Sequence, residues 1–300
     1  MLQETRFDYE IVIGEDCSTD RTREIVINYQ KRYPDKIKLL LSKENKGITH
    51  NFIQTTNACR GQYIALCEGD DYWTEPSKLQ KQVDFLDANP EFSMCAHGVM
   101  VKYEDGRKGD ENFKKLDTDV YFIEDVIRER LFATNSLLFR RNSISELPEW
   151  FGGIISADRA LLILVASKGR IKYLNEAMGV YRKHKGGISS YGDVRAIFLS
   201  DIYLFRKVNA HFGYKYDKII KSVILNRHKQ ILDYYIKTNN RIESTKIIIK
   251  LFSLSIRSGR LDMDTFVKSL YSIFIPARIK WIYRYIKKVR GIKIKNYRYY

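Results

Sequence analysis

The sequence predicts an α/β fold in which a doubly wound, mostly parallel sheet is followed by a helical C-terminal extension. Over the first 90 residues, short β-branched apolar runs alternate with segments of helical periodicity. Beyond about residue 190 the apolar residues follow helical spacing alone. We therefore predict a sheet domain at 1–190 and a helical region at 191–300 that ends in a basic tail.

The alternating segments give the following elements in chain order. Strands are predicted at 9–14, 37–41, 63–67, 94–102, 136–140 and 170–174. Helices are predicted at about 21–33, 48–58, 78–89, 157–167, 197–208, 219–235, 242–255 and 264–273, and a glycine-rich basic loop at 180–190. The strand–helix alternation at the start is typical of parallel strands joined by right-handed crossovers.

Composition excludes several classes of protein. A hydrophobic fraction of 44% supports a globular core and argues against disorder. The four cysteines show neither CxxC pairs nor zinc-ligand spacing, which disfavours a disulfide framework. Residues 1–8 lack the features of a signal peptide, and no apolar run reaches 18 residues. We therefore expect a cytoplasmic protein.

The formal net charge of +16 is concentrated at the C-terminus. Residues 276–300 contain nine Lys or Arg and no Asp or Glu, interleaved with apolar side chains. This pattern predicts an interfacial helix at the inner face of a membrane, and the alternative is a solvated basic end. Nucleic-acid binding is disfavoured because the basic residues do not cluster on the sheet domain.

An acidic turn follows the strand predicted at 63–67. Ligands of open α/β sheets bind beyond the carboxyl ends of the strands, and carboxylates there can hold Mg²⁺ or Mn²⁺ against substrate phosphates. Glu68, Asp70 and Asp71 form this turn around Gly69. A solvated loop is the alternative interpretation of the turn alone. Glu15 and Asp16 also end a strand and are expected at the same edge, where they can hydrogen-bond a nucleoside.

Two segments carry a resemblance to a known family. Residues 11–22, IVIGEDCSTDRT, resemble the "IIVDDGSTDNT" element of family 2 glycosyltransferases, which have the GT-A fold. Residues 61–73, GQYIALCEGDDYW, resemble their "GEYIAFLDADDYW" element, which contains the DxD motif. The resemblance covers about residues 7–190. It implies an enzyme that transfers a sugar from a nucleotide-sugar donor, UDP- or another NDP-sugar, with Mg²⁺ or Mn²⁺ as cofactor.

The resemblance also implies roles for individual residues on the donor side. Glu15 and Asp16 match the acids that contact the base and ribose. Asp70 matches the direct metal ligand, and Glu68 matches the first DxD acid on the ribose and metal side. Glu68 stands where the family usually has Asp, and its extra methylene lengthens the reach. Asp71 and Trp73 are candidates for the acceptor side, with a core position as the alternative for Trp73.

Two later segments complete the resemblance. Residues 156–162, SADRALL, match the segment that supplies the catalytic base, which falls on Asp158, with Ala157 in place of the usual Glu. The alternative for Asp158 is a carboxylate that only favours the helix N-terminus. Residues 181–189, YRKHKGGIS, resemble the "YRxHxGGxS" element, so that Arg182 and His184 are expected to bind the diphosphate of the donor.

These parts imply an inverting transfer to a hydroxyl of a glycan or lipid-linked acceptor in cell-envelope polysaccharide synthesis. A sugar-phosphate nucleotidyltransferase is a weaker alternative because the sequence has no G-x-G-T-R-type loop after its first strand. A non-catalytic or impaired homologue is the other alternative. The family's first strand, turn ("VSIIIPTYN") and helix have no counterpart in residues 1–10, so we expect an exposed edge on the strand predicted at 9–14 and weak nucleotide binding.

Overall fold

The computed structural model describes residues 3–106, 108–144, 147–184, 186–187 and 194–257. The helix predicted at 264–273 and the basic tail at 276–300 lie outside these residues. Contacts between Cα atoms divide the chain into two compact units, 1–223 and 224–300. The domain boundary predicted after residue 190 stays a prediction.

The chain forms nine strands and eight α-helices within the described residues. The strands are β1 (Ile11–Glu15), β2 (Ile37–Leu41), β3 (Tyr63–Ala65), β4 (Tyr72–Trp73), β5 (Phe92–Tyr103), β6 (Glu111–Asn112), β7 (Val120–Tyr121), β8 (Leu138–Arg140) and β9 (Arg170–Lys183). The helices are α1 (Thr22–Arg32), α2 (Ile48–Ala58), α3 (Lys78–Ala88), α4 (Ile123–Arg128), α5 (Ala157–Ala166), α6 (Val194–His211), α7 (Asp217–Lys237) and α8 (Arg241–Arg257).

The strands form two sheets. Seven of them make a mixed sheet in the order β3-β8-β5-β9-β4, with β6 paired to β5 and β7 paired to β9. In this sheet β5 and β9 are parallel, whereas β8 is antiparallel to both β3 and β5. The predicted α/β class with a helical C-terminal part is confirmed.

The first two strands differ from the expectation. β1 and β2 pair in parallel as a two-stranded sheet of their own, separate from β3 among the described residues. The expectation of one continuous sheet through all three strands was therefore wrong. Alternation along the chain indicates strands joined by crossovers, but it does not specify which strand edges pair.

The core lies between the large sheet and the helices that cover it. On α3, Leu79, Val83 and Leu86 share one face and pack with Phe92 and Leu138 of the sheet. Helix α5 is apolar from residue 160 to residue 166, and nine of its ten residues are buried, as expected for a helix enclosed by protein. In the second unit, Leu232, Ile248 and Leu251 form a separate small cluster.

The surface around α1 contrasts with this core. No residue of α1 is buried, and Ile25 and Tyr29 expose 48% and 44% of their surface. Within the described residues, β1 pairs with a neighbour on one side only. These observations agree with the expected exposure of a strand edge and an apolar surface in this region.

The basic segment at the end of β9 also differs from the expectation. β9 continues to Lys183, so the first part of the loop predicted at 180–190 is strand. Gly179 allows this strand to approach β4 closely, because a Cβ there would lie 3.3 Å from the Tyr72 carbonyl oxygen. Arg182 and Lys183 are thus fixed in a parallel ladder with the end of β5.

None of the helices in the described ranges is long and apolar enough to cross a membrane.

Candidate active site

The acidic turn lies between β3 and β4. The Asp71 amide closes it by donating to the Glu68 carbonyl oxygen at 3.1 Å. β4 then pairs antiparallel with β9, with Tyr72 opposite Val180. Because β9 continues past this pairing, the turn is brought against residues 182–184, as the sequence predicts for a shared site.

Three contacts join the turn to this basic segment. The His184 Nε2 atom lies 3.0 Å from the Asp70 Oδ2 atom. The Arg182 amide donates to the Asp71 carboxylate at 2.9 Å, and its guanidinium donates to the Asp70 carbonyl oxygen at 3.0 Å. Glu104 holds the same guanidinium from the other side at 2.8 Å. Arg182 and His184 therefore lie beside the acidic turn, and their roles in donor binding stay predictions.

The residues of the turn offer a partial set of metal ligands. Among the described residues, no group of three Asp, Glu, His or Cys side chains converges as a complete metal site. Asp70 and His184 converge as a pair, with one carboxylate oxygen beside one ring nitrogen. The Asp70 carboxylate fits Mg²⁺ or Mn²⁺, because Mg²⁺ is often held by one or two carboxylates and completes its shell with water and substrate phosphates.

Glu68 is exposed to solvent, although the protein packed around its carboxyl shields that group in part. The loss of hydration at the Glu68 carboxyl raises its pKa to about 7. Thr134 opposes this rise, whereas the carboxylates of Asp71 and Asp158 add to it. Burial likewise raises the pKa of Asp71 to about 6, although the Arg182 amide opposes it. The site therefore concentrates acidic groups that a bound cation would stabilise.

Asp158 lies in the first turn of α5 and is held by two side chains. The Arg130 guanidinium donates to the Asp158 Oδ2 atom at 2.7 Å. The Thr134 hydroxyl donates to the same oxygen at 3.2 Å, and Arg130 also donates to Thr134. The Asp158 carboxylate raises the pKa of Arg130, which stays charged beside it.

Thr134 also connects the two halves of the site. Its hydroxyl donates to Asp158 at 3.2 Å and also lies near Glu68, where it opposes the rise in the pKa of that carboxyl. The predicted donor-side acid and the predicted base therefore lie on either side of one hydroxyl. Neither Arg130 nor Thr134 was identified from the sequence. The available signal is weak: residues 130–134 read RLFAT, an arginine followed by three apolar residues and a threonine.

The acids after β1 are engaged with the chain itself. Glu15 is 2% exposed and accepts hydrogen bonds from the Ser18 amide and the Arg23 guanidinium. Burial raises the pKa of Glu15, but these two bonds outweigh it and lower the value overall. Asp16 accepts from the backbone amides of Lys46 and Gly47 at 2.9 and 2.8 Å. Their roles in nucleotide binding stay predictions.

The acceptor-side candidates have different environments. The Trp73 indole donates to the Asn135 carbonyl oxygen at 2.7 Å, and the ring packs partly against the core. Tyr72 exposes 42% of its surface and is the more accessible aromatic side chain. The acceptor-side assignments of Asp71 and Trp73 stay predictions.

Comparison with known proteins agrees with this geometry. Residues 1–146 match the model of glycosyl transferase family 2. The uncharacterized protein Rv1520 of Mycobacterium tuberculosis is 43% identical over 197 residues, which cover 64% of this chain and 56% of that protein. The chain thus spans about half the length of the first curated relatives it matches.

Two further similarities concern proteins with named ligands. The UDP-Glc:alpha-D-GlcNAc-diphosphoundecaprenol beta-1,3-glucosyltransferase WfaP of Escherichia coli is 24% identical over 242 residues, covering 76% of this chain and 90% of WfaP. The structure of residues 1–349 of S. aureus TarS with UDP superposes with a TM-score of 0.54 at 15% identity, covering 98% of this chain and 86% of that one. The structural likeness confirms the GT-A fold.

Proposed function

We propose that this protein transfers a sugar from a nucleotide-sugar donor to a hydroxyl of a glycan or lipid-linked acceptor, because residues 1–146 match the model of glycosyl transferase family 2. The observation that carries the proposal is the proximity of the acidic turn to both the Arg182–His184 segment and Asp158. WfaP, a relative named for a diphosphoundecaprenol-linked acceptor, supports a role in cell-envelope polysaccharide synthesis.

On the donor side, the residues fit a nucleoside diphosphate bound through a divalent cation. Asp70 would hold Mg²⁺ or Mn²⁺, with His184 beside it and Glu68 as the second carboxylate of the motif. The bound metal would offset the negative charge that develops on the leaving diphosphate. Arg182 contributes a fixed positive charge at the same edge, because Glu104 and the Asp70 carbonyl hold its guanidinium in place.

On the acceptor side, Asp158 is proposed as the general base of an inverting displacement. Its carboxylate would take the proton of the acceptor hydroxyl as that oxygen attacks the anomeric carbon. Arg130 and Thr134 hold one carboxylate oxygen, which orients the side chain. The Thr134 hydroxyl, which lies near Glu68, holds the base beside the donor half of the site.

A nucleotide-sugar screen tests the proposed function. The full chain is expected to show an increased melting temperature with one UDP- or GDP-sugar in the presence of Mn²⁺, since ligands that bind the folded state stabilise it. The same donor should release its nucleoside diphosphate when a glycan acceptor is added. Stabilisation without any release would indicate an impaired homologue, and no stabilisation by any donor would contradict the proposal.

Membrane association through residues 276–300 is proposed from the sequence alone. The full chain is expected to co-sediment with anionic vesicles that contain phosphatidylglycerol, and a chain that lacks residues 276–300 is expected to stay in the supernatant. Each basic residue near an anionic surface contributes about 1 kcal/mol of binding free energy. Neutral phosphatidylcholine vesicles serve as the control. Equal pelleting of the full and shortened chains would contradict a peripheral location at the inner face of the membrane.

A further inference from the structure

Lys78 is the first residue of α3 and is fully buried, with one of the largest such side chains among the described residues. Its ammonium nitrogen lies 3.8 Å from the centre of the Trp73 ring. Among the described residues, the Lys78 Nζ atom has no hydrogen-bond acceptor. The aromatic face of Trp73 is therefore the main group that receives this charge.

Stability does not explain a lysine at this position. A buried ammonium without hydrogen bonds is costly. The N-terminal end of a helix carries partial positive charge and disfavours a cation. Burial accordingly lowers the pKa of Lys78 to about 7, with the Cys67 and Cys95 thiols acting in the opposite direction. A methionine, which keeps the stem without the charge, would be the more stable residue here.

The surroundings of Lys78 are polar but carry little charge. His97 is buried, and burial lowers its pKa to about 3, with the Lys78 charge acting in the same direction. The titratable groups around the ammonium are thus the His97 ring and the two thiols. None of these three offers a negative charge at neutral pH, because burial also raises the pKa of both Cys67 and Cys95 to about 12.

The Trp73 ring connects Lys78 to the proposed site. A cation over an indole ring withdraws electron density and strengthens the indole N–H as a donor. That N–H donates to the Asn135 carbonyl oxygen at 2.7 Å. Asn135 belongs to the short helical turn Thr134–Ser136, and its own side chain donates to the Val180 carbonyl oxygen at 3.0 Å. The turn is therefore held between β4 and β9.

Thr134, at the start of this turn, carries the hydroxyl that donates to Asp158 and lies near Glu68. We propose that Lys78 is a positioning residue: its ammonium fixes the Trp73 ring and, through it, the turn that spaces the donor-side acid from the base. The activity readout rests on the proposed function, whereas the fluorescence and stability readouts do not.

The test is Lys78→Met in a Trp150→Phe, Trp281→Phe background, which leaves Trp73 as the only one of the protein's three tryptophans. In the parent, Trp73 fluorescence should titrate with a midpoint near pH 7, following the Lys78 pKa of about 7. In Lys78→Met this transition should disappear. Turnover should fall by about tenfold or more with an unchanged KM for the nucleotide sugar, because a displaced base affects the transition state and not donor binding.

Thermal stability separates this role from a structural one. The folded-state pKa of Lys78, about 7, lies below the unfolded value near 10.4. The cost of the buried charge is therefore fully present below pH 7 and is relieved as the pH rises toward 10. Lys78→Met should raise the melting temperature most at pH 6 and progressively less toward pH 9.

Lys81→Met serves as the matched control, since Lys81 lies on the same helix in an exposed ion pair with Glu176. It should change neither the fluorescence titration nor turnover. A lower melting temperature for Lys78→Met at pH 6, or unchanged Trp73 fluorescence and turnover, would overturn the proposal. If the parent itself transfers no sugar, the proposed function fails, and the fluorescence titration and the stability profile still decide the role of Lys78.

Discussion

Asp158→Asn is expected to lower turnover by about 100-fold or more, within the range for loss of a general base, while nucleotide affinity stays unchanged. Asparagine keeps the size of the side chain and an oxygen that can accept from Arg130 and Thr134, so the contacts at 2.7 and 3.2 Å can persist. It cannot accept the proton of an acceptor hydroxyl at neutral pH. The defect should therefore appear in kcat and not in binding of the nucleoside diphosphate.

The alternative for Asp158 is a carboxylate that only stabilises the start of α5, which is worth about 0.3–1 kcal/mol at a helix N-terminus. Asp125→Asn is the matched control, because Asp125 also lies in the first turn of its helix, α4, and accepts from the Phe122 amide. A steady-state assay and a melting curve on both variants separate the two roles. Comparable turnover in the two variants would show that Asp158 is structural.

Local structure was largely predictable from the sequence, because the spacing of the apolar residues and the polar residues that end each element indicate the same bounds. The strands β1 and β2 and the helices α2 and α5 lie within one or two residues of the predicted ranges. In α5 the apolar run 160–166 follows a polar start at Ser156 and Asp158, which defines both the helix and its beginning. The two-residue strands and α4 were not predicted, since such short elements depend on their pairing partners.

Pairing over long sequence distances was less predictable. A single parallel sheet through β1 and β3 was expected from their alternation with helices, but the described structure pairs β1 only with β2. The segment 180–183 was expected as a loop because it is basic and precedes two glycines, and it is strand because β5 provides a parallel partner. In both cases the pairing edge, which the local sequence does not specify, decides the outcome.

The site shows the same division. The motifs predicted that the acidic turn, Arg182 and His184 would lie together, and their contacts bear this out. Arg130 and Thr134 were missed because they precede Asp158 by 28 and 24 residues in an irregular segment. A lone cation or hydroxyl there carries no periodic signal, and its role follows only from the fold that places it beside the carboxylate.

Asp70→Ala is expected to abolish the Mn²⁺-dependent part of nucleoside diphosphate binding. Asp70 is the one carboxylate of the acidic turn that lies beside a ring nitrogen, that of His184 at 3.0 Å. Removing it leaves the imidazole without its partner and the diphosphate charge without a bridging cation. Affinity for UDP in the presence of Mn²⁺ should fall by about 100-fold or more. Loss of a residue that only hydrogen-bonds to a metal ligand costs about 10–100-fold, and loss of the ligand itself should cost at least as much.

Calorimetric titrations with UDP and GDP, with and without Mn²⁺, measure this effect for the protein and the variant. Without the metal, both proteins should bind weakly and alike, because the lost ligand then contributes little. Asp84→Ala is the matched control, since Asp84 is a half-exposed carboxylate paired with Arg6 on the surface. An Asp70→Ala variant that keeps the full response to Mn²⁺ would place the metal elsewhere. A parent protein that binds UDP equally well with and without Mn²⁺ would show that donor binding depends on the basic side chains of the protein itself. Arg182 would then be the first candidate.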